Sequence, residues 1–325
     1  MRYIYNQSTD PAFNLAAEEY LLTRTEPEVF MLWRNAPAVI VGRNQNTLAE
    51  IDETFLRERG IPVVRRMSGG GAVFHDLGNI NFTFISTGTA SKGLDFQKFT
   101  MPIQEALEDM GVNCTFSGRN DLLIEGKKFS GNAQHFHKGR ILHHGTLLFS
   151  SDMTDLSGAL RVDPEKYRDK AVKSVRSRVT NISSHLPAPM EVTNFIAALM
   201  DFVSKEAAQD DMALTAEENR IIEALADERY RTWDWNFGYS PAYNFNRRTR
   251  TPGGLLDVNM YVKKGHITRV RLHGDYFGVK SVSELEEQIL ECRHQRAALE
   301  ERLTGINLEE YIKDVDLPTF LDCLF

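Results

Sequence analysis

Arg65-Arg66-Met67-Ser68-Gly69-Gly70-Gly71-Ala72-Val73-Phe74-His75-Asp76, continued by Leu77-Gly78-Asn79-Ile80-Asn81-Phe82-Thr83-Phe84, is the stretch on which the fold turns. Two arginines feed three consecutive glycines, and the glycines feed a short apolar run. Without a Cβ, such a loop takes positive φ and lets a ligand approach its backbone. Its exposed N–H groups make a nest for anions, and the guanidinium forks suit phosphate or carboxylate. Asp76-Leu77-Gly78-Asn79 has turn composition, and Ile80, Phe82 and Phe84 alternate with Asn81 and Thr83 as a strand does. The expectation is an anion-binding loop inside a β-hairpin, with a plain surface hairpin as the other reading. No Gly-Lys-Ser/Thr follows, so the loop is not a Walker A motif. The G-x-G-x-x-G spacing and following helix of a dinucleotide fingerprint are also missing.

Working outward, 325 residues allow about two domains. A net charge of −7 argues against bulk affinity for nucleic acid. The three cysteines, Cys114, Cys292 and Cys323, show no C-x-x-C spacing, which fits a reducing compartment and gives no zinc signal. The first residues lack the apolar core of a signal peptide, and no run approaches the roughly 18 apolar residues that span a bilayer. A cytoplasmic protein with neither membrane nor nucleic-acid partners is expected.

Asp10-Pro11 reads as a helix start, with Phe13, Ala16, Ala17, Tyr20 and Leu21 at helical spacing. Val29–Trp33 and Ala38–Gly42 read as strands joined by a turn at Asn35-Ala36-Pro37. Glu50–Arg59 reads as a helix ending at Gly60, and Pro62-Val63-Val64 as a strand delivering Arg65. Asp95–Met110 is broadly helical, with Pro102 marking a helix start inside it and Gly111 ending it. Strands at Cys114–Phe116, Asp121–Ile124, Lys127–Phe136 and Arg140–Phe149 form a meander around turns at Glu125-Gly126 and Lys138-Gly139. Helices follow at Thr193–Lys205 and Thr215–Arg231. The aromatic stretch Trp233–Pro241 precedes a hairpin around Lys264-Gly265 and further helices over Val282–Leu303 and Leu308–Phe325. The sum is an α/β (α+β) domain over residues 1–245 and a small α+β domain over 246–325.

Two further motifs carry chemistry. Arg119-Asn120-Asp121-Leu122 opens a strand, and Asp121 is a candidate Mg²⁺ ligand, although Asn-Asp alone also reads as a turn. In Lys128-Phe129-Ser130-Gly131-Asn132-Ala133, strand alternation puts Lys128, Ser130 and Asn132 on one face and Lys127 on the other. His143-His144-Gly145-Thr146 lies on the next strand, where adjacent histidines point to opposite faces and do not share a metal. No serine–histidine–carboxylate set is evident. Cations and backbone N–H groups around an anionic ligand suit phosphoryl or adenylyl chemistry, where catalysis is mostly positioning and charge neutralisation.

Taken in order, these motifs resemble the lipoate–protein ligase A family of the biotinyl/lipoyl ligase and transferase superfamily. The resemblance rests on Arg65-Arg66, Ser68–Asp76, Gly78-Asn79, Asn120–Leu122, Lys128–Gly131 and His143–Leu148. Ser174–Asn181 and Trp235–Gly238 add to it, and Gly274-Asp275-Tyr276-Phe277-Gly278 extends it more loosely. It implies a class II synthetase-like biotinyl/lipoyl ligase catalytic domain, with a mixed β-sheet and flanking helices, and a small accessory domain. The implied reaction joins ATP-Mg²⁺ and lipoate (or octanoate) into lipoyl-adenylate and pyrophosphate. A lysine of a lipoyl domain then attacks, releasing AMP. Implied acceptors are lipoyl domains of 2-oxoacid dehydrogenase acyltransferase subunits and the glycine-cleavage H protein.

By position, Arg66, Gly71, Ala72, Val73 and Phe74 match ATP contacts. Lys128 matches the catalytic lysine between lipoate carboxylate and α-phosphate. Arg65, Ser68, Gly70, His75, Asn120, Ser130, Ala133 and His144 match positions around lipoate and its adenylate, and Asp121 the Mg²⁺ side. Val41, Gly42, Phe74 and Ala133 are implied walls for the acyl chain. The alternatives are a cysteine-dependent octanoyl or lipoyl transferase, for which Cys114 is the one thiol in the first domain, and a non-catalytic lipoate-binding protein.

Overall fold

The computed structural model describes residues 1–24, 28–87, 95–118, 120–160, 167–168, 179–204 and 213–325. The strands are β1 (Arg2–Asn6), β2 (Val29–Arg34), β3 (Ala38–Val41), β4 (Val63–Arg65), β5 (Val73–His75), β6 (Asn79–Thr87), β7 (Thr115–Ser117), β8 (Asp121–Ile124), β9 (Lys127–His137), β10 (Arg140–Leu148), β11 (Tyr167–Arg168), β12 (Tyr243–Thr251), β13 (Gly254–Lys263) and β14 (His266–Gly274). The helices are α1 (Pro11–Thr23), α2 (Glu53–Arg59), α3 (Phe96–Asp109), α4 (Met153–Ala159), α5 (Val192–Val203), α6 (Ala216–Leu225), α7 (Val282–Ile289), α8 (Arg296–Leu303) and α9 (Leu317–Cys323). The chain forms two compact units. The larger takes Met1–Arg43, Leu56–Leu160 and Lys173–Thr232; the smaller takes Asn44–Phe55, Arg161–Val172 and Trp233–Phe325.

The larger unit is built on a seven-stranded mixed sheet, ordered β1-β2-β6-β10-β9-β8-β7, in which only β1 and β2 run parallel. One face packs on α3 and α5 through Phe82, Phe84, Phe99, Ile103, Leu107, Phe195 and Leu199. A truncation there, such as Leu107→Ala, removes about 2–5 kcal/mol of stability. The dipeptides Glu125-Gly126 and Lys138-Gly139 both have positive φ at each residue, the geometry of a type I′ hairpin turn.

Helix α1 starts where expected: Asp10 accepts from the Ala12 N–H and Pro11 stands in the first turn. It is buried nearly all round, Asn14 and Glu18 included, so those polar groups need partners inside the protein. Strand β6 is likewise buried on both faces. The alternation of Asn81 and Thr83 with apolar residues therefore separates a hydrophobic interior from a polar one.

Three local expectations are corrected. The glycine loop does not close a hairpin. Strands β4 and β5 do not pair with each other; both pair with β3, in a separate three-stranded sheet ordered β4-β3-β5. The pairing partner comes from residues 38–41, which local periodicity cannot reveal. Asp76–Gly78 then carries the chain from that sheet into β6. Asp76 Oδ1 accepts from the N–H groups of Gly78 and Asn79, each at 2.9 Å. A Cβ on Gly78 would collide with the Ser150 backbone. Pro102 does not start a helix, because α3 already begins at Phe96 with Asp95 as cap and runs through it.

The third correction concerns β9. Leu122 pairs with Ser130 but Leu123 pairs with Lys128, so Phe129 is an extra residue, a β-bulge. The bulge shifts the phase of the strand, and Lys128 falls on the face of Gly131 rather than that of Ser130 and Asn132.

In the smaller unit a four-stranded antiparallel sheet, ordered β11-β12-β13-β14, buries Phe245, Val258, Met260, Val270 and Leu272, with α7 against β14, α9 against β12 and α8 against both helices; Leu285, Leu299 and Phe320 are their buried residues. Lys264-Gly265 makes another turn with positive φ at both residues. His294 is fully enclosed: Tyr243 Oη lies 2.6 Å from its Nδ1, its Nε2 donates to the Leu324 carbonyl at 2.6 Å, and it stacks on Phe325. Trp233–Pro241 contains a wide helical turn at Asp234–Gly238. Its Asn236 carbonyl accepts from Thr47 Oγ1 at 2.6 Å, which ties residues 44–55 into this unit.

Candidate active site

The glycine loop is held from beneath by Arg66. Its Nε donates to Ser68 Oγ at 3.1 Å, Nη1 to the Ile40 carbonyl at 3.1 Å, and Nη2 to the carbonyls of Gly69 and Gly71, both at 2.8 Å. Four of its five N–H donors are thus spent inside the protein, and burial lowers its pKa to about 10, with Glu18 opposing the shift. In this geometry Arg66 shapes the loop. Arg65 is also buried, with Nη1 donating to the carbonyls of Gly42 and Arg43 at 2.9 and 3.1 Å. The bend is sharpest at Gly70, whose φ is +95°, and a Cβ on Gly42 would collide with the Gly70 carbonyl. Of the other loop positions, Ala72 and Phe74 are buried while Gly71 and Val73 are partly open.

A line of hydrogen bonds runs from this loop into the polar side of the sheet. Ser68 Oγ is 2.6 Å from His144 Nε2, and His144 Nδ1 is 2.9 and 3.0 Å from the two oxygens of Glu18. Thr83 Oγ1 donates to Glu18 at 2.6 Å and accepts from Trp33 Nε1 at 2.9 Å. A serine, a histidine and a carboxylate are thus in line after all. Their separations along the chain carry no motif. Ser68 is 1% exposed and its oxygen already accepts from Arg66, so the arrangement is a strut rather than an open nucleophile.

A second relay fixes His75. Asn6 Nδ2 donates to Asn14 Oδ1, Asn14 Nδ2 to Asn35 Oδ1, and Asn35 Nδ2 approaches His75 Nδ1 at 3.0 Å. Each amide orients the next, so Nδ1 is an acceptor and Nε2 carries the proton. Burial, with Arg66 and His144 adding to it, lowers the His75 pKa to about 3. The ring is a neutral donor, and its buried Nε2 has no hydrogen-bond partner among the described residues.

Beyond His144, strands β9 and β8 contribute the charged groups. Ala133 pairs with His144, and two residues back Gly131 pairs with Asp121. Lys128 Nζ lies 2.8 Å from Asp121 Oδ1. The Lys128 carbonyl accepts from the Thr180 N–H at 2.9 Å. Val179, Thr180 and Asn181 are the described end of the 174–181 motif; residues 174–178 lie outside the described residues, as does Arg119. Asn120 Nδ2 donates to the Asn132 carbonyl at 2.6 Å, a staple between strands.

Ser130 is not brought to this group. Its Oγ accepts from Asn132 Nδ2 at 3.2 Å on the other face, where His143 stacks between Phe82 and Phe99. Burial lowers the pKa of His143 well below the ordinary value. Cys114 sits in the apolar core, and burial together with Glu108 raises its pKa to about 11, the reverse of what a nucleophilic thiol needs. Among the described residues no three His, Cys, Asp or Glu side chains converge as a metal site. Lone Asp121 fits Mg²⁺, which often takes one or two carboxylates plus substrate phosphates.

Glu18 and Asn35 were missed from sequence. Their only signal was a polar residue in a mostly apolar helix and in the turn between two apolar strands.

A glycine loop braced by a buried arginine, a lysine–aspartate pair and a buried polar strut on a mixed sheet form the kind of site that suits an anionic ligand and the neutralisation of charge on it. The family model for lipoyl protein ligase A/B catalytic domains matches residues 10–204, and that for the bacterial lipoate protein ligase C-terminus matches 240–324. Lipoate–protein ligase 1 of Staphylococcus aureus is 42% identical over 97% of this chain and 97% of its own length. Lipoate–protein ligase LplJ of Bacillus subtilis is 41% identical over the whole of both chains. The fold is also that of P. falciparum LipL1 solved with lipoate (TM-score 0.62, 23% identity, 99% of this chain and 97% of that one). It is shared by a lipoate–protein ligase A solved with ATP (TM-score 0.60, 24% identity, 74% of this chain and all of that one). The chain belongs to the lipoate–protein ligase family.

Proposed function

We propose that this chain activates lipoate, or octanoate, with ATP-Mg²⁺ and passes the acyl group to a lysine of a lipoyl domain. The carrying observation is the glycine loop braced by Arg66 and joined through Ser68 to His144 of the sheet that carries the Lys128–Asp121 pair. In this reading the loop N–H groups and the neutral His75 N–H bind the anionic parts of ATP and the acyl-adenylate. Lys128 neutralises charge that builds as the carboxylate meets the α-phosphate. Its ammonium leaves Asp121 for the reacting oxygens, and the freed Asp121 would hold Mg²⁺, which would supply charge neutralisation for the leaving pyrophosphate. Val41 and Phe74, both buried, wall the acyl slot, and the Glu18–His144–Ser68 strut closes its polar side. Adenylation and transfer belong to residues 1–245, with 246–325 as the accessory domain. Acceptors are lipoyl domains of 2-oxoacid dehydrogenase acyltransferase subunits or the glycine-cleavage H protein, in the cytoplasm.

The test is pyrophosphate release from the purified protein with Mg-ATP, with and without lipoate, before any acceptor is added. Lipoate-dependent release, with lipoyl-AMP identified by mass spectrometry, is expected. No release, with acyl transfer from an acylated carrier protein instead, would make the protein a transferase.

A further inference from the structure

Lys128 is placed by its surroundings in a way its own sequence position does not explain. The bulge at Phe129 rotates it onto the face of Gly131. There its stem lies over the Gly131 backbone: a Cβ built on Gly131 would sit 2.8 Å from Lys128 Nζ and 2.9 Å from Cε, with Asp121 Oδ1 next at 3.9 Å. The space that the glycine leaves empty is the space the ammonium occupies. The glycine is itself anchored, since its N–H donates to Thr146 Oγ1 at 3.2 Å. Its φ is not in the left-handed region, so the backbone does not demand glycine here. The side-chain space does.

We propose that Gly131 is a positioning residue for Lys128. By having no side chain, it lets the lysine stem fold back along β9, so that the ammonium stands beside Asp121, placed to neutralise charge where the carboxylate meets the α-phosphate. This rests on the role given to Lys128 above. The atoms a Cβ would meet are the far end of a flexible chain, so a methyl group at 131 displaces the ammonium and leaves the sheet intact. A displacement of about an ångström at a charged catalytic group costs up to roughly a hundredfold in rate.

The experiment is a double-variant cycle read by single-turnover lipoyl-AMP formation. Gly131→Ala is expected to slow adenylation roughly tenfold to a hundredfold, mainly in the single-turnover rate constant, with little change in the ATP concentration that half-saturates it. In the Lys128→Ala background the same substitution is expected to do nothing more, because its target is gone. The melting temperature of each variant is measured alongside. If Gly131→Ala does not fold, the Lys128→Ala/Gly131→Ala protein still should, since removing the lysine removes the clash. Failure of that double variant to fold, additive losses in the cycle, or normal adenylation by Gly131→Ala would each overturn the proposal. Near-normal adenylation by Lys128→Ala would instead overturn the role of the lysine on which the proposal stands.

Discussion

Single side chains in this protein do work that depends on their partners. Lys128→Ala is expected to lower lipoyl-AMP formation by about 10²–10³, the usual cost of one lost electrostatic donor, with the melting temperature little changed because the ion pair is partly exposed. Stopped-time quantification of lipoyl-AMP checks it. His75 offers a subtler test. Asn35→Asp replaces an N–H donor by a carboxylate, so His75 would move its proton to Nδ1 and lose the Nε2–H that the buried amides now impose. Imidazole nitrogen chemical shifts should report the exchanged tautomer, and adenylation should fall at least tenfold. An unchanged tautomer would refute the control of His75 by Asn35, and an exchanged tautomer with normal adenylation would remove His75 from the site as a donor. Residue types in the glycine loop were legible because cations and glycines announce an anion site directly. Glu18 and Asn35 were not, because a polar residue inside an apolar helix or turn gains its meaning only from what surrounds it in space.

At the level of elements, short-range signals were dependable and pairings were not. Both meander turns followed from dipeptides that need positive φ, and α1 followed from Asp10-Pro11. The supposed hairpin around the glycine loop failed because β4 and β5 are joined through β3, and the bulge at Phe129 was invisible because it is defined by β8. His294 shows how one element is locked to another. Burial lowers its pKa to about 4 from an ordinary 6.5. As pH falls, the unfolded ring takes up a proton first, so stability is full above about pH 6.5 and declines toward pH 4. The fall amounts to roughly 3 kcal/mol. The melting temperature of wild-type protein should drop over that range, and a His294→Gln variant, although less stable at neutral pH, should show a shallower slope. Equal slopes would refute the assignment.

For the molecule as a whole, composition bounded the answer without choosing it. Length and charge pointed to about two domains and away from nucleic acid. The choice of an ATP-using ligase over a cysteine-dependent transferase rested on the complete motif set and the C-terminal domain, with Cys114 as the one candidate nucleophile of the alternative. With Cys114 inside the apolar core and its thiolate disfavoured, Cys114→Ser should change neither lipoyl-AMP formation nor transfer to a lipoyl domain by more than about twofold. Loss of acyl transfer in that variant, with no dependence on ATP, would reverse the choice. No helix among the described residues is long and apolar enough to cross a membrane.

The extra residue at Phe129 has a consequence for how this chain can vary. Because the side of a strand that a residue faces alternates one by one, the bulge makes residue count, rather than residue type, the rigid quantity between Asp121 and Gly131. A library of single-residue deletions and insertions through 127–133 should therefore lose function almost completely, while substitutions at exposed Lys127 are tolerated. The segment behaves as a reading frame, in which a shift by one turns the ammonium toward the hydrophobic core and the phenylalanine toward solvent.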